Sequence, residues 1–209
     1  MTTARDLLIV TMDAEPSRLV ERGDLSLALA GAELIDLLAA GEAGLDGSGE
    51  HIVPGPAGAP EDPLLRQAAA ALVREAPYES IGDWLWRRGR DLSAVYLSAL
   101  EADGQLIWQR NRHWKVFWTR ELALVDTDAR HHAANRRRSD EPVLAALTEA
   151  IGIRDQDGEG TGEAPKVSDD AVARVLTALD DALAELAAER QRRDRRRDAA
   201  AVDNVRRGY

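Results

Sequence analysis

The 209-residue chain has no cysteine, which removes disulfide frameworks, zinc-thiolate sites and thiol nucleophiles from consideration and favours a reducing, cytoplasmic setting. Aromatic residues are scarce, with one Phe and three Tyr beside five Trp. No apolar run approaches the ~20 residues that a membrane span requires. The opening residues MTTARDLLIV lack a basic region followed by a long apolar stretch, which predicts a soluble or peripheral protein without a secretory leader. Positive charge is in deficit: the formal net charge is -10 and the pI near 4.9, so attraction to nucleic acid or anionic lipid must come from a local basic patch. Phosphate-cradling GxGxxG and GxxxxGK[ST] strings are missing, as is GxSxG. None of His51, His113, His131 and His132 has the i, i+4 placement of a zinc helix, and Glu33 and Asp36 have no histidine nearby. The expectation is a non-enzyme with neither metal nor cofactor.

What is present reads as helix. In Leu25–Leu38, LSLALAGAELIDLL, apolar residues recur at three- and four-residue steps, Asp24 is placed to cap the first amides and Gly41 to stop the last turn. Small residues around Gly31 let other elements approach its backbone, so this is the expected buried central helix. Arg5–Met12 is too short to assign by period. Amphipathic helices are predicted from Asp62 to Ala76, over Ile81–Arg88 with Ser80 as cap, and from Asp91 to Gly104. Gln105–Thr119 has strand character and reads as a hairpin turning at Asn111, followed by a connector over Glu121–Asp128. Short helices follow at His131–Arg138 and Pro142–Ile151, and a last one from Ser168. Gly44–Asp62 reads as a loop, with only His51-Ile52-Val53 able to add a short strand. The predicted fold is mainly α: a central buried helix surrounded by amphipathic helices, with one β-hairpin. A single domain spans 1–188, with a mobile loop near 154–166 and a polar basic tail over 189–209.

The aromatic residues are unevenly placed. All five Trp and the only Phe fall between Trp84 and Trp118, interleaved with Arg87, Arg88, Arg90, Arg110, Arg112 and Lys115. Packing accounts for tryptophans that face neighbouring helices or one side of the hairpin. The alternative is an interfacial surface where aromatic bodies and guanidinium groups meet headgroups or another subunit. The runs Arg136–Arg138 and Arg190–Arg197 read as helix C-terminal charges, with a polybasic lipid-binding arm as the sharper alternative for the second.

The segment Asp6–Gly41, with Leu29-Ala30-Gly31 and Leu34-Ile35-Asp36-Leu37, resembles the opening of the Golgi phosphoprotein 3 family in its bacterial branch, and Leu100, Gly104 and Leu106 continue the match. The resemblance implies a peripheral membrane protein on the inner face of the membrane that binds phosphatidylinositol 4-phosphate through a basic and aromatic pocket. It also implies a hairpin, here Trp108, Arg110, Arg112, Trp114, Phe117 and Trp118, that serves membrane contact or self-association. Of the family's pocket residues Arg90 matches, while Glu21, Ala30 and Ser93 stand where the family has a tryptophan and two arginines. Arg18, Arg22, Arg87 and Arg88 are the neighbouring cations that can supply guanidinium groups instead, because bidentate forks suit phosphate oxygens. Two other readings remain: an adaptor recognising short cytoplasmic segments of membrane proteins, and a winged nucleic-acid-binding module, which the net charge disfavours.

Overall fold

The computed structural model describes residues 2–14, 20–56, 58, 60–113, 117–153 and 167–206, and side chains within these except over 109–121 and 201–206. Its axis is α2, Arg22–Ala39, apolar on nearly every side and buried from Leu25 through Ile35. A helix that is apolar all round must be covered all round. Here α1 (Thr3–Asp13), α3 (Pro63–Ala70), α4 (Ile81–Arg88), α5 (Leu92–Ala102), α7 (Pro142–Ala150) and α8 (Asp170–Arg206) all contact it, while α6 (Asp128–Arg138) packs on α1.

Local chemistry explains most of the boundaries. Gly41 stops α2 in the left-handed region at φ 72°, with its amide on Leu38 O and that of Glu42 on Leu37 O. Ser80 Oγ accepts from Asp83 N to start α4, and Asp62 accepts from the amides of Leu64 and Leu65 ahead of Pro63. The start of α2 differs from expectation. It begins at Arg22 behind Glu21, which makes no side-chain cap, and Asp24 instead lies in the first turn, where it accepts two bonds from Arg190 Nη1 at 2.8 and 3.0 Å. The helix from Asp62 ends at Ala70, short of Ala76. At the last helix Asp169, not Ser168, supplies the cap.

The ambiguous N-terminal segment is helix α1, capped by Thr2 Oγ1 and buried through Leu7, Leu8, Ile9 and Val10. Asp36 reaches its first turn from α2 and accepts from Ala4 N at 3.4 Å. Desolvation raises the Asp36 pKa from 3.8 to about 6, against hydrogen bonds from Thr3 and Ala4 that lower it. On the far side, Arg136 of α6 donates to the fully buried Asp6 at 2.6 Å, so that part of the Arg136–Arg138 run is structural.

Two antiparallel hairpins accompany the helices. The principal one pairs β3 (Leu106–His113) with β4 (Phe117–Leu124), from Leu106 opposite Leu124 to His113 opposite Phe117. Its register corrects the expected turn at Asn111, which pairs with Thr119; the three residues between the strands, 114–116, lie outside the described residues. Asparagine's preference for turns is a weak prior that an eight-pair ladder overrides. The same ladder absorbs Glu121–Leu124, expected as connector. The second hairpin, β1 (Ala43–Leu45) with β2 (Ile52–Pro54), replaces part of a predicted loop. Asp46 organises its turn: Oδ1 accepts from Ser48 Oγ and from the amides of Gly49 and Glu50, and the bonds from Ser48, His51 and Glu50 hold its carboxyl well below the usual range.

Residues 189–206 of the predicted tail continue α8, and 207–209 lie outside the described residues. Beyond Arg190 every side chain described on this helix is exposed, and the helix is laced by pairs from Glu189 to Arg192 and Arg193. No described helix is long and apolar enough to cross a membrane. The predicted mobile loop over 154–166 lies outside the described residues.

Two glycines contrast in what they permit. A Cβ on Gly31 would sit 3.6 Å from Leu85 and Leu179, ordinary contact, whereas one on Gly89 would sit 2.5 Å from Leu85 O and 3.2 Å from Ser26 O. Gly31→Ala should stabilise the fold by about 0.5–1 kcal/mol through helix propensity, and Gly89→Ala should destabilise it by roughly 1–3 kcal/mol through overpacking, both measured by urea unfolding. Asp36 yields a pH prediction. Its native pKa lies above the unfolded one, so its stabilising contribution is complete below about pH 4 and is lost as pH rises to about 6. Relative to wild type, Asp36→Asn should gain up to roughly 3 kcal/mol across that window, read from unfolding at each pH.

Candidate functional site

The junction between α4 and α5 is built to turn outward. Gly89 closes α4 against the Ser26 carbonyl, and Asp91 takes the left-handed conformation at φ 55°, leading directly into α5. Arg90 between them is exposed. The junction is fixed to the first turn of α2 by two serines. Ser26 Oγ donates to Ser93 Oγ at 2.9 Å and accepts from Ser93 N at 3.1 Å, and Ser93 Oγ faces the Arg22 carbonyl at 3.5 Å. Behind it, the buried Trp84 donates its Nε1–H to Ala30 O at 3.0 Å. α4 is thereby anchored on the middle of α2.

Between these elements lies a cleft of about 440 Å³. Its floor is Ser26, Leu27 and Ser93, its walls are Trp86 and Leu186 of α8, and its rim carries Arg22, Arg90 and Asp91. The orphan amides at the start of α2, with the positive end of an 18-residue helix behind them, are at the same place. Among the described residues neither Arg22 nor Arg90 donates a side-chain hydrogen bond or meets a carboxylate in an ion pair. Two uncompensated guanidiniums against one carboxylate, Asp91, give the cleft a net positive lining. Chemically it is suited to a phosphate-sized anion.

The other arginines proposed from sequence are placed differently. Arg87 is committed to Glu79 through Nε and Nη2 at 2.6 and 2.7 Å, and lies over the Trp84 ring at 5.4 Å. Arg88 turns inward to Glu33, with Nε and Nη2 at 2.7 and 2.9 Å from its two oxygens. Glu33 is fully buried, and desolvation pushes its pKa up against the opposing effect of Arg88 and of Tyr96, whose hydroxyl donates to it at 3.0 Å. Neither Arg87 nor Arg88 lines the cleft. Arg18 lies outside the described residues, as does Trp114. Arg110, Arg112, Phe117 and Trp118 lie on β3 and β4, with Arg112 opposite Trp118, but their side chains are outside the description. Trp108 is 58% exposed, its Nε1 donating to Glu101 at 2.9 Å.

Of the arginines proposed from sequence, Arg22 and Arg90 line the cleft, while the parts played there by Ser26, Trp86 and Leu186 were not anticipated. A serine inside the apolar run LSLALAG was the available signal for Ser26. Leu186 carries no local signal, since it arrives from a helix more than ninety residues away.

Fold and cleft together define the class: a mainly helical domain that exposes a cationic cleft beside a two-stranded ribbon. The family model for Golgi phosphoprotein 3 (GPP34) matches residues 4–208, and the chain belongs to that family. Comparison with curated proteins gives no match. Of the positions singled out by resemblance, Arg90 and Ser93 line the cleft, and Ala30 is buried on α2.

Structural and available arginines should separate on substitution. Arg88→Ala leaves the Glu33 carboxylate buried and unpaired, and should cost roughly 3–5 kcal/mol. Arg90→Ala should change stability by less than about 0.5 kcal/mol. Thermal and denaturant unfolding of both variants checks the pair.

Proposed function

We propose that this protein is a peripheral membrane-associated member of the family's bacterial branch and that the cleft holds an anionic, phosphoinositide-type headgroup, phosphatidylinositol 4-phosphate by family resemblance. The observation that carries this reading is the pair Arg22 and Arg90, which line one cleft at the N-terminal end of α2 without a carboxylate partner among the described residues, while Arg5, Arg87, Arg88, Arg130, Arg136 and Arg190 are all tied to carboxylates of the same chain. In an acidic protein, leaving two guanidiniums uncompensated at one place favours an anion there. Trp86, 39% exposed, offers a flat wall to the ring of such a headgroup.

A second reading is favoured by the exposure of Ile107 and Trp108 on the ribbon, 46% and 58%. It makes the protein an adaptor whose hairpin meets short segments of membrane proteins or a second copy of itself.

Titration with soluble inositol 1,4-bisphosphate, and sedimentation with vesicles containing phosphatidylinositol 4-phosphate, test the first reading. Arg22→Ala and Arg90→Ala should each weaken binding about 10- to 100-fold, as expected for a charge-assisted hydrogen bond of about 1.5–3 kcal/mol; Arg87→Ala should leave it unchanged. Affinity should fall with added salt. Wild-type protein that is folded yet shows no saturable binding would pass the assignment to the adaptor reading.

A further inference from the structure

The cleft does not end at Ser93. Past Ser93 and Ala94 it continues into a second groove of about 500 Å³, and Arg22, Ser93 and Ala94 line both. The chemistry changes at that boundary. The groove is walled by Leu8 and Met12 of α1, Leu25 of α2, Leu97 of α5, and Leu122 and Trp108 of the ribbon. Its polar members besides the shared residues are Ser98 and Glu101, and Glu101 is occupied by the indole N–H of Trp108.

The groove follows from how α5 is used. Leu92, Tyr96 and Leu100 point one face into the core, whereas Ala94, Leu97, Ser98 and Glu101 form a second, largely apolar face that the ribbon flanks without covering. Leu8 and Leu25 at the bottom are buried, Met12, Leu97 and Leu122 are half-buried, and Trp108 stands at the open edge. Apolar surface of this kind gains from exclusion of water, and its continuity with a cationic cleft restricts the occupant. A molecule that satisfies both parts carries an anionic head on an alkyl chain, the head between Arg22 and Arg90 and the chain running past Ala94 along Leu97.

We infer that the groove receives an acyl chain of the same lipid whose phosphate occupies the cleft, so that the ligand is a phospholipid partly drawn from the bilayer and not a headgroup read at the surface alone. This rests on the headgroup reading above and adds the chain to it. Ser93 has a place in this arrangement: its amide and hydroxyl are used by Ser26 and the Arg22 carbonyl, so that Ser93 itself presents no unsatisfied hydroxyl to a methylene chain at the boundary.

Calorimetric titration with methyl, butyl and octyl phosphate, each below its micelle-forming concentration, tests it. With the full-length protein, affinity should rise with chain length, up to about fourfold for each methylene that enters the groove, as a buried CH2 is worth about 0.8 kcal/mol. Ser98→Trp places a ring in the groove from an exposed position that does not line the cleft, and should abolish the chain-length increment while methyl phosphate binds as before. Leu97→Asn is a second variant, expected to reduce the increment, and Arg90→Ala should weaken all three ligands by a common factor. Methyl phosphate bound as tightly as octyl phosphate would overturn the inference and leave the headgroup reading standing. A chain-length increment that survives in both groove variants would place the chain elsewhere and also overturn it. Failure of all three ligands to bind would overturn the headgroup reading and this one together.

Discussion

The ion pair between Glu33 and Arg88 is the constraint from which the site follows. Glu33 sits on the central helix with no solvent exposure, and a carboxylate there is costly unless a cation and hydrogen-bond donors reach it. Arg88 and the Tyr96 hydroxyl do so from two different helices. Satisfying one buried charge therefore sets the rotation of both α4 and α5 against α2. Once both are set, Gly89 must pass close to the Ser26 carbonyl, Ser93 meets Ser26, and Arg90 has only the outside left to it.

Many of the arginines are tied to carboxylates of the same chain, while Arg66, Arg74 and Arg174, like Arg22 and Arg90, have no carboxylate partner among the described residues. The tied arginines serve as internal struts: Arg5 to Asp62 and Asp103, Arg87 to Glu79, Arg88 to Glu33, Arg136 to Asp6 and Glu141, and Arg190 to Asp24. Planar guanidinium forks suit this work because they satisfy two oxygens at once. A chain with 37 acidic residues against 27 basic ones has carboxylates to spare for such struts, and Arg22 and Arg90 differ from other arginines without a carboxylate partner among the described residues, such as Arg74 and Arg174, in lining one cleft together. Ala30 is packed within α2 and Ser93 is hydrogen-bonded to Ser26, so neither supplies a guanidinium to the cleft. The cleft's guanidiniums are those of Arg90 and of Arg22 at the neighbouring helix start. The tryptophans divide in the same way, with Trp84 serving α2 from inside and Trp86 and Trp108 standing at the two ends of the continuous surface depression.

Much of the fold could be read from local pattern. The three- and four-residue spacing of Leu27, Ala30, Leu34 and Leu37 marks a helix that must be buried, Gly41 its end, Ser80 the start of α4, and the β-forming residues after Gly104 a hairpin. Other features were hidden because their determinants are distant or collective. The start of α2 shifted because Asp24 is used by Arg190 and not as a cap. The turn of the ribbon moved past Asn111 because eight backbone pairs outweigh the preference of one residue, and β1 pairs with β2 because a single aspartate gathers the amides between them.

The sequence alone determined most of the helical segments, though not α1, the faces those helices bury and the family to which the chain belongs, since each of these is written in residue spacing or in short strings. Only the tertiary structure decided which of the arginines are available. Arg88 and Arg90 are two residues apart and chemically identical, and they differ because Glu33, 55 residues from Arg88, draws one into the core while nothing described draws in the other. Pairing of charges depends on which helix faces which, and that is a property of the packed molecule.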